Sequence, residues 1–197
     1  MAKIGLSKPY FAKYNASGNT VTYTGGALLG KATSLTMDLE NSDPSRLYAD
    51  NGIAESANTF SGGTITLGTD DILPEALLLA FGVKEENIVN EGIKTENPKW
   101  LIYDDDQEIP YGGLGGIIKK QKDGVIKYVA VIYPKVQFQN LNDAATTQGE
   151  TIEWATEELT ATLMRDDTTK HEWRRITSML ATEVEAEAAI KSFFNIA

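Results

Sequence analysis

The chain contains no cysteine and a single histidine among its 197 residues. Without cysteine it can form no disulfide, no thiolate metal site and no cysteine nucleophile, and nothing marks it for an oxidising compartment. The lone histidine, His171, can neither build a histidine-rich zinc site nor act with a cysteine partner. We expect His171 in a surface loop.

Long apolar runs are also missing. The first nine residues contain no run of about 7 to 15 apolar side chains, so they do not resemble a signal peptide. The longest apolar stretch, residues 76–81, is far shorter than the roughly 20 residues needed to cross a bilayer. We therefore predict no membrane anchor and folding in a cytoplasm.

Basic residues are the scarcer charge. The chain carries 18 Lys and Arg against 28 Asp and Glu, which gives a formal net charge of −10 and disfavours nucleic-acid binding. The charge is uneven, because residues 1–30 have three lysines and no acid, and residues 109–149 have five lysines against two aspartates. These basic segments are either an ordinary solvated surface or faces that complement acidic segments of a neighbouring subunit, such as the loop near Glu85, Glu86 and Glu91.

The composition is that of one globular domain. Hydrophobic residues make up 42% of the chain and charged residues 23%, which is ordinary globular usage. A chain of this length can bury one sizeable core. We predict a single domain over residues 1–197.

Most segments show the alternation and turn punctuation of β-strands. The clearest hairpin joins residues 117–122 to residues 125–133 through Asp123 and Gly124, a pair suited to a type I′ turn. Pro134 cannot donate to a ladder, so we expect it at a strand edge or a bulge. The other expected strands are residues 10–14, 21–23, 34–39, 64–67 and 159–163.

Two segments have helical signals. The first runs from about Leu73 to Phe81, with Asp70 or Asp71 as its cap, Pro74 in the first turn and Gly82 just past the end. The second is C-terminal and should dock on the domain. It has a capping box and an apolar repeat at spacings of three and four, formed by Thr182, Glu185, Ala186, Ala189, Ile190 and Phe193.

The motifs that could indicate a catalytic or ligand-binding site are incomplete. Residues 25–31 have the spacing of a phosphate-binding loop, but Ala32 follows where Mg²⁺ needs a hydroxyl, and a strand comes next instead of a helix. Residues 104–108 are acidic, yet they lack the glycine and glutamate of an EF-hand, and adjacent carboxylates point apart. The three tryptophans and eight tyrosines are more typical of a core than of a stacking platform. We therefore predict no catalytic, cofactor-binding or metal site, and a protein that is not an enzyme.

Four features follow one another in an order that is typical of one family. They are residues 46–55 with the element Tyr48-Ala49-Asp50-Asn51; residues 63–67 continuing through 70–75 to 82; residues 129–138 after a glycine hairpin; and residues 147–154 leading into 159–162. In this order, over roughly residues 3–195, the chain resembles the major tail protein of long-tailed, non-contractile bacteriophages and prophages of Gram-positive hosts. Gln148 stands where many relatives have a basic residue.

The resemblance implies a mainly β (α+β) fold. It would be a tail-tube-like β-sandwich with a flanking α-helix and a C-terminal helix, forming a hexameric β-barrel ring. An N-terminal arm, about residues 1–9, and long loops at about residues 41–60 and 83–99 would reach neighbouring subunits or rings.

The resemblance also implies a function. The chain would be a structural subunit of a phage tail tube, assembled in the host cytoplasm into stacked hexameric rings that conduct the genome in the virion tail. Its partners would be copies of itself, the tape-measure protein, and the tail terminator and distal tail proteins. DNA would pass without specific binding, helped by acidic residues facing the bore. The alternative is a carbohydrate- or receptor-binding β-sandwich module of a virion or cell-surface appendage, and an enzyme is a more distant one.

Overall fold

The computed structural model describes residues 1–41, 45–49, 52–57, 59–88, 92, 98–142 and 156–196. This part of the chain is mostly β-strand with two short helices, which confirms the predicted mainly β class. The helices are α1 (Pro74–Phe81) and α2 (Glu183–Phe194). The strands are β1 (Ala2–Ser17), β2 (Thr20–Leu28), β3 (Ala32–Asn41), β4 (Ser45–Ala49), β5 (Gly52–Ala57), β6 (Phe60–Thr69), β7 (Lys84–Asn87), β8 (Lys99–Ile102), β9 (Tyr111–Lys122), β10 (Val125–Phe138), β11 (Glu157–Met164) and β12 (Arg175–Ile176).

The main sheet is antiparallel, with the strand order β2-β1-β9-β10-β11-β6-β3, and β12 adds to β10. Its centre is the predicted hairpin of β9 and β10. Asp123 and Gly124 have φ angles of 52° and 79°, the left-handed values that a type I′ turn requires. The hairpin prediction is therefore confirmed.

Strand β10 connects the two halves of the sheet, which are β2-β1-β9-β10 and β11-β6-β3. Most of it pairs with β9, and its last residues, Lys135 to Phe138, also pair with β11. The register with β9 shifts between Tyr133 and Val136, so Pro134 lies at an irregularity where no ladder bond is lost. The bulge predicted for Pro134 is confirmed.

The apolar faces of the two halves pack on each other, an arrangement consistent with a β-sandwich. Phe11 of β1 and Val131 of β10 lie on one side of this core, and Ile65 of β6 and Leu159 of β11 lie on the other. All four side chains are at most 1% exposed. Helix α1 adds the buried side chains Ala76, Ala80 and Phe81.

Helix α2 forms a second core on the outer face of the β1-β9-β10 half. Its capping box is present, because the Thr182 hydroxyl accepts from the Glu185 amide and the Glu185 carboxylate accepts from the Thr182 amide. The predicted docking of the helix is confirmed. Phe194 is fully buried there, whereas Phe193 is only half-buried.

The predicted cap of α1 is wrong. The residue at the N-cap is Leu73, which has no side-chain cap hydrogen bond. The Asp70 carboxylate instead accepts from the amides of Lys31 and Asp71, and the Asp71 carboxylate accepts from the amide of Ile72. Both aspartates therefore organise the connection before the helix through local amides, and Asp70 also joins it to Lys31, which is far away in sequence. Gly82, in the left-handed region with φ 66°, ends the helix as expected.

The segments expected as an arm and as loops contain strands. Residues 2–9 belong to β1, and the part from Ala2 to Ser7 pairs with β9. Strands β4 and β5 pair antiparallel within residues 41–60, and β7, which lies within residues 83–99, pairs antiparallel with β8, which begins at Lys99 and ends at Ile102. Glu91, residues 147–154 with Trp154, and Asp50 and Asn51 of the Tyr48-Ala49-Asp50-Asn51 element lie outside the described residues.

Candidate interaction surfaces

The outward side of β3, β6 and β11 is a polar sheet face. Leu35, Leu67 and Leu159 lie opposite one another and pack on or in the inner core, so their neighbours point outward. These outward residues are exposed or half-buried. The outward set, called the acidic face below, consists of Ser34, Thr36, Asp38, Glu40, Thr64, Thr66, Glu158, Thr160 and Thr162.

Charge on the acidic face has one sign. Asp38, Glu40 and Glu158 are exposed, and strands β3, β6 and β11 contain no lysine, arginine or histidine. The remaining side chains are hydroxyls of threonine and serine, which suit a strand and stay hydrated. The surface is therefore polar and negatively charged.

Lysines from the two basic segments of the sequence lie side by side on a positively charged surface. Lys120 of β9 lies directly opposite Lys3 of β1 on one side and Lys127 of β10 on the other. Lys119 and Lys122 flank this row on β9. We call these five lysines the basic tip. Among the described residues none of them forms an ion pair.

A groove of about 380 Å³ separates the start of β1 from β3. Its walls include Lys3, Leu6, Met37 and Arg174. The Nε of Arg174 is buried and has no hydrogen-bond partner among the described residues. In the part of the chain that the structure describes, β3 forms ladder bonds only to β6, so β1 and β3 meet across this groove without a shared ladder.

A second cleft of about 400 Å³ lies beside α1. Its lining combines an exposed aromatic ring, two carboxyl groups and an amide, from Tyr103, Asp71, Glu157 and Asn142. The described lining holds no basic or nucleophilic side chain. Such a set of polar side chains can hydrogen-bond a polar ligand.

Two polar clusters join the β1-β9-β10 half of the sheet to helix α2 and to the segment that follows β11. Glu187 of α2 receives hydrogen bonds from Lys8 and from the hydroxyl of Tyr10, the latter at 2.6 Å. These bonds lower the pKa of Glu187, and burial together with the same contact raises the pKa of Tyr10 to about 12. Asp167 is bound in the same way by Lys135 at 2.7 Å and Tyr14 at 2.8 Å, which lowers its pKa.

The Glu187 cluster predicts acid sensitivity. Its folded pKa lies below the ordinary value of 4.5, so its contribution is present above that pH and is lost as the pH falls through the folded pKa. We expect Glu187→Gln to cost about 1 kcal/mol at neutral pH, since a charge-assisted hydrogen bond is weakened. The difference from wild type should shrink as the pH falls below the ordinary pKa of 4.5 and through the lower folded pKa, measured by urea unfolding at one neutral and one strongly acidic pH value. A cost that is equal at both pH values would contradict this role, and the exposed Glu75→Gln is the matched control.

The segments with incomplete phosphate-loop and EF-hand motifs form a strand end and an exposed turn. Residues 25–28 end strand β2, β3 begins at Ala32, and no helix opens at residue 31. Asp104 pairs with Lys84 at 2.7 Å and accepts from the amide of Asp106 within an exposed turn. His171 is exposed. Trp100 is 61% exposed, whereas Trp173 stacks on Phe60 at 4.5 Å.

Within the described ranges, no group of three or more His, Asp or Glu side chains could hold a metal ion. Neither helix there is long and apolar enough to cross a membrane. What the sequence interpretation missed is the meeting of Lys3 with Lys120 and the single-sign polar face. The available signal for the face was the threonine alternation in β6 and β11, which indicates a strand with a hydrated side.

Comparison of the chain with protein-family models and with curated proteins returns no match in either case. The support for a function therefore comes from the acidic face, the basic tip and the order of elements in the sequence.

Proposed function

We propose that the chain is the structural subunit of a phage tail tube, which assembles into stacked hexameric rings that conduct the genome during ejection. Its place would be the virion tail. The observation that carries this proposal is the acidic face, a polar sheet surface with three exposed acids and no base on β3, β6 and β11. The order of sequence elements that resembles major tail proteins supports it independently.

The acidic face has the chemistry that a DNA conduit needs. Phosphate binds proteins through lysine and arginine, and these strands have none. Six copies would repeat the negative charge around a bore, and the field in a narrow channel is focused by its walls. Hydroxyl groups keep the lining hydrated. DNA would then slide through without specific binding.

The ends of the sheet are compatible with assembly. In the described residues, β2 pairs only with β1, and β3 pairs only with β6. A terminal strand with free backbone groups is a site for pairing with another chain, and closing the sheets of six subunits into one barrel removes such edges. The tape-measure protein would occupy the bore before DNA, and the terminator and distal tail proteins would contact the two end rings.

Electron microscopy of the purified protein tests the proposal. We expect regular tubes with a central channel. Monodisperse particles at concentrations well above the micromolar range, without rings or tubes, would contradict it.

Charge reversal on the acidic face tests the role of that surface. Asp38→Lys with Glu158→Lys should leave tubes intact but retain duplex DNA assembled with them. We expect about tenfold more co-sedimenting DNA at low salt, with a steep fall as salt rises. The control is Glu75→Lys with Glu86→Lys, the same charge change at exposed positions elsewhere. Equal DNA retention by both variants would show that this face does not line the bore.

The alternative is a carbohydrate- or receptor-binding module, and the cleft beside α1 is the observation that favours it. Tyr103 is 53% exposed at the rim, and Asp71, Asn142 and Glu157 offer polar atoms. This function predicts a stable monomer whose glycan binding is lost in Tyr103→Ala. Under the tube proposal, Tyr103→Ala should have no effect on glycan retention because none occurs.

A further inference from the structure

The lysine row of the basic tip places like charges opposite one another within the isolated subunit. Lys3, Lys120 and Lys127 occupy directly opposite positions on three neighbouring strands, so their side chains share one face of the sheet. Like charges placed directly opposite are destabilising. No described acid forms an ion pair with any of them. An anionic partner from outside the subunit would offset this repulsion.

The opposite end of the same strand carries the opposite charge. Strand β9 runs from Tyr111 to Lys122, and 12 residues of strand span roughly 35 Å. Just before its first residue lies an exposed acidic turn, formed by Asp104, Asp105, Asp106 and Glu108. Of these, Asp104 is paired with Lys84. The end of β9 at Lys122 has five lysines against one acid, Asp123. The end at Tyr111 has four acids against Lys84 and Lys13, so charges of opposite sign predominate at the two ends.

Each end also exposes apolar groups beside its charges. At the basic tip Ile4 is 48% exposed and Val125 is 53% exposed. Near the acidic turn Tyr103 is 53% exposed and Tyr111 is 45% exposed. Complementary interfaces combine exposed apolar groups with surrounding charges, and the signs of these charges are opposite on the two surfaces.

We propose that the basic tip of one copy docks on the acidic turn of a second copy, so that subunits associate head to tail along β9. This inference rests on the tail-tube function and assigns its stacking contact. A head-to-tail contact uses two different surfaces and is not closed by a two-fold axis, so it propagates. In stacked rings it joins each ring to the next.

A second copy is a better partner for the basic tip than nucleic acid. The whole chain carries a net charge of −10, so a polyanion meets long-range repulsion before it reaches five lysines. Another subunit presents its acidic turn locally and offers exposed aromatic rings to Ile4 and Val125.

A single charge reversal separates stability from association. In Lys120→Glu the new carboxylate lies between Lys3 and Lys127 and forms two favourable cross-strand pairs. We expect the thermal unfolding midpoint of the subunit to rise by about 2–4 °C. Association at low salt should nevertheless slow by about tenfold. A variant that folds better and assembles worse is not explained by damage to the fold.

Charge-swapped pairs test which surfaces meet. The tip variant is Lys120→Glu with Lys122→Glu, and the turn variant is Asp105→Lys with Asp106→Lys. Each alone should associate about tenfold more slowly at low salt, measured by light scattering. An equimolar mixture of the two variants, and a chain that carries all four substitutions, should recover the wild-type rate, since opposite charges again face each other.

The control is Thr169→Glu with Lys170→Glu and Ser192→Glu, which lowers the net charge by the same four units at exposed positions outside the tip. It should assemble at nearly the wild-type rate. If wild-type tubes form and the tip variant assembles as fast as wild type, or the swapped variants do not recover, the stacking contact is overturned while the tube function stands. If wild type forms no tubes, the tube function fails and this inference fails with it. Binding of duplex DNA that is lost in the tip variant, with association unchanged, would overturn the contact in favour of a polyanion.

Discussion

Gly112→Ala should be among the most destabilising single-methyl substitutions in this chain, with an expected cost of about 3 kcal/mol. A Cβ atom at Gly112 would lie 1.9 Å from Cζ of Phe11 and 2.1 Å from its Cε2. Phe11 is fully buried and contacts the ring of Phe138 at 5.5 Å between centroids, so it has no open space to move into. The overlap must be relieved by shifting a strand at the centre of the sheet.

Gly116→Ala is the matched control on the same strand. A Cβ atom there would meet only Cδ1 of Leu6, at 3.8 Å, which is ordinary van der Waals contact. Neither Gly112 nor Gly116 has a positive φ, so backbone conformation does not distinguish them. We expect a change within about 0.5 kcal/mol for Gly116→Ala. Urea unfolding should show a large shift of the midpoint for Gly112→Ala alone, with the slope unchanged. Equal midpoints for the two variants would refute the steric argument.

Phe194→Ala should cost about 3–5 kcal/mol and release α2 from the sheet. Phe194 is fully buried, and its ring meets Tyr23 edge-on at 5.0 Å. The glycines of β9 make room for it, since a Cβ atom at Gly113 would lie 2.3 Å from Cε1 of Phe194. Truncation leaves a cavity that this strand, which lacks side chains there, cannot fill.

Hydrogen exchange resolved along the chain measures the release. Amides of α2 should lose protection in Phe194→Ala, and the urea midpoint should fall. Val184→Ala is the control, because the Val184 side chain is 71% exposed on the same helix and its loss should cost less than about 0.5 kcal/mol. Retained α2 protection in Phe194→Ala would show that the capping box and the Glu187 contacts hold the helix without this anchor.

Local rules predicted the elements well. The type I′ turn at Asp123 and Gly124, the bulge at Pro134 and the capping box of Thr182 with Glu185 each depend on residues within a few positions of one another. The cap of α1 failed because Asp70 found nearer donors, including the amide of Lys31, which is far away in sequence. Phe193 was expected on the buried face of α2, but the direction of that face depends on where the helix meets Tyr23 and β9.

The candidate surfaces needed the fold to become visible. The sequence shows two basic segments, residues 1–30 and residues 109–149. It does not show that Lys3 of the first lies beside Lys120 of the second. Residues 1–9 were expected to form an arm, and the structure shows that Ala2 to Ser7 pair with β9 and that Lys3 completes the lysine row. The threonine alternation indicated strands, whereas the acidic face appears only when β3, β6 and β11 are placed side by side.

By itself, then, the sequence determined a cysteine-free, acidic, mainly β chain with a central hairpin, a capped C-terminal helix and segregated lysines. The reason is that composition and short-range hydrogen bonding are set within a few residues. Tertiary structure alone decided which face of each strand is buried, why β9 needs glycine at positions 112 and 113, and that opposite charges gather at opposite ends of β9. Those features arise from contacts between residues far apart in the chain, and no local pattern encodes which partners meet.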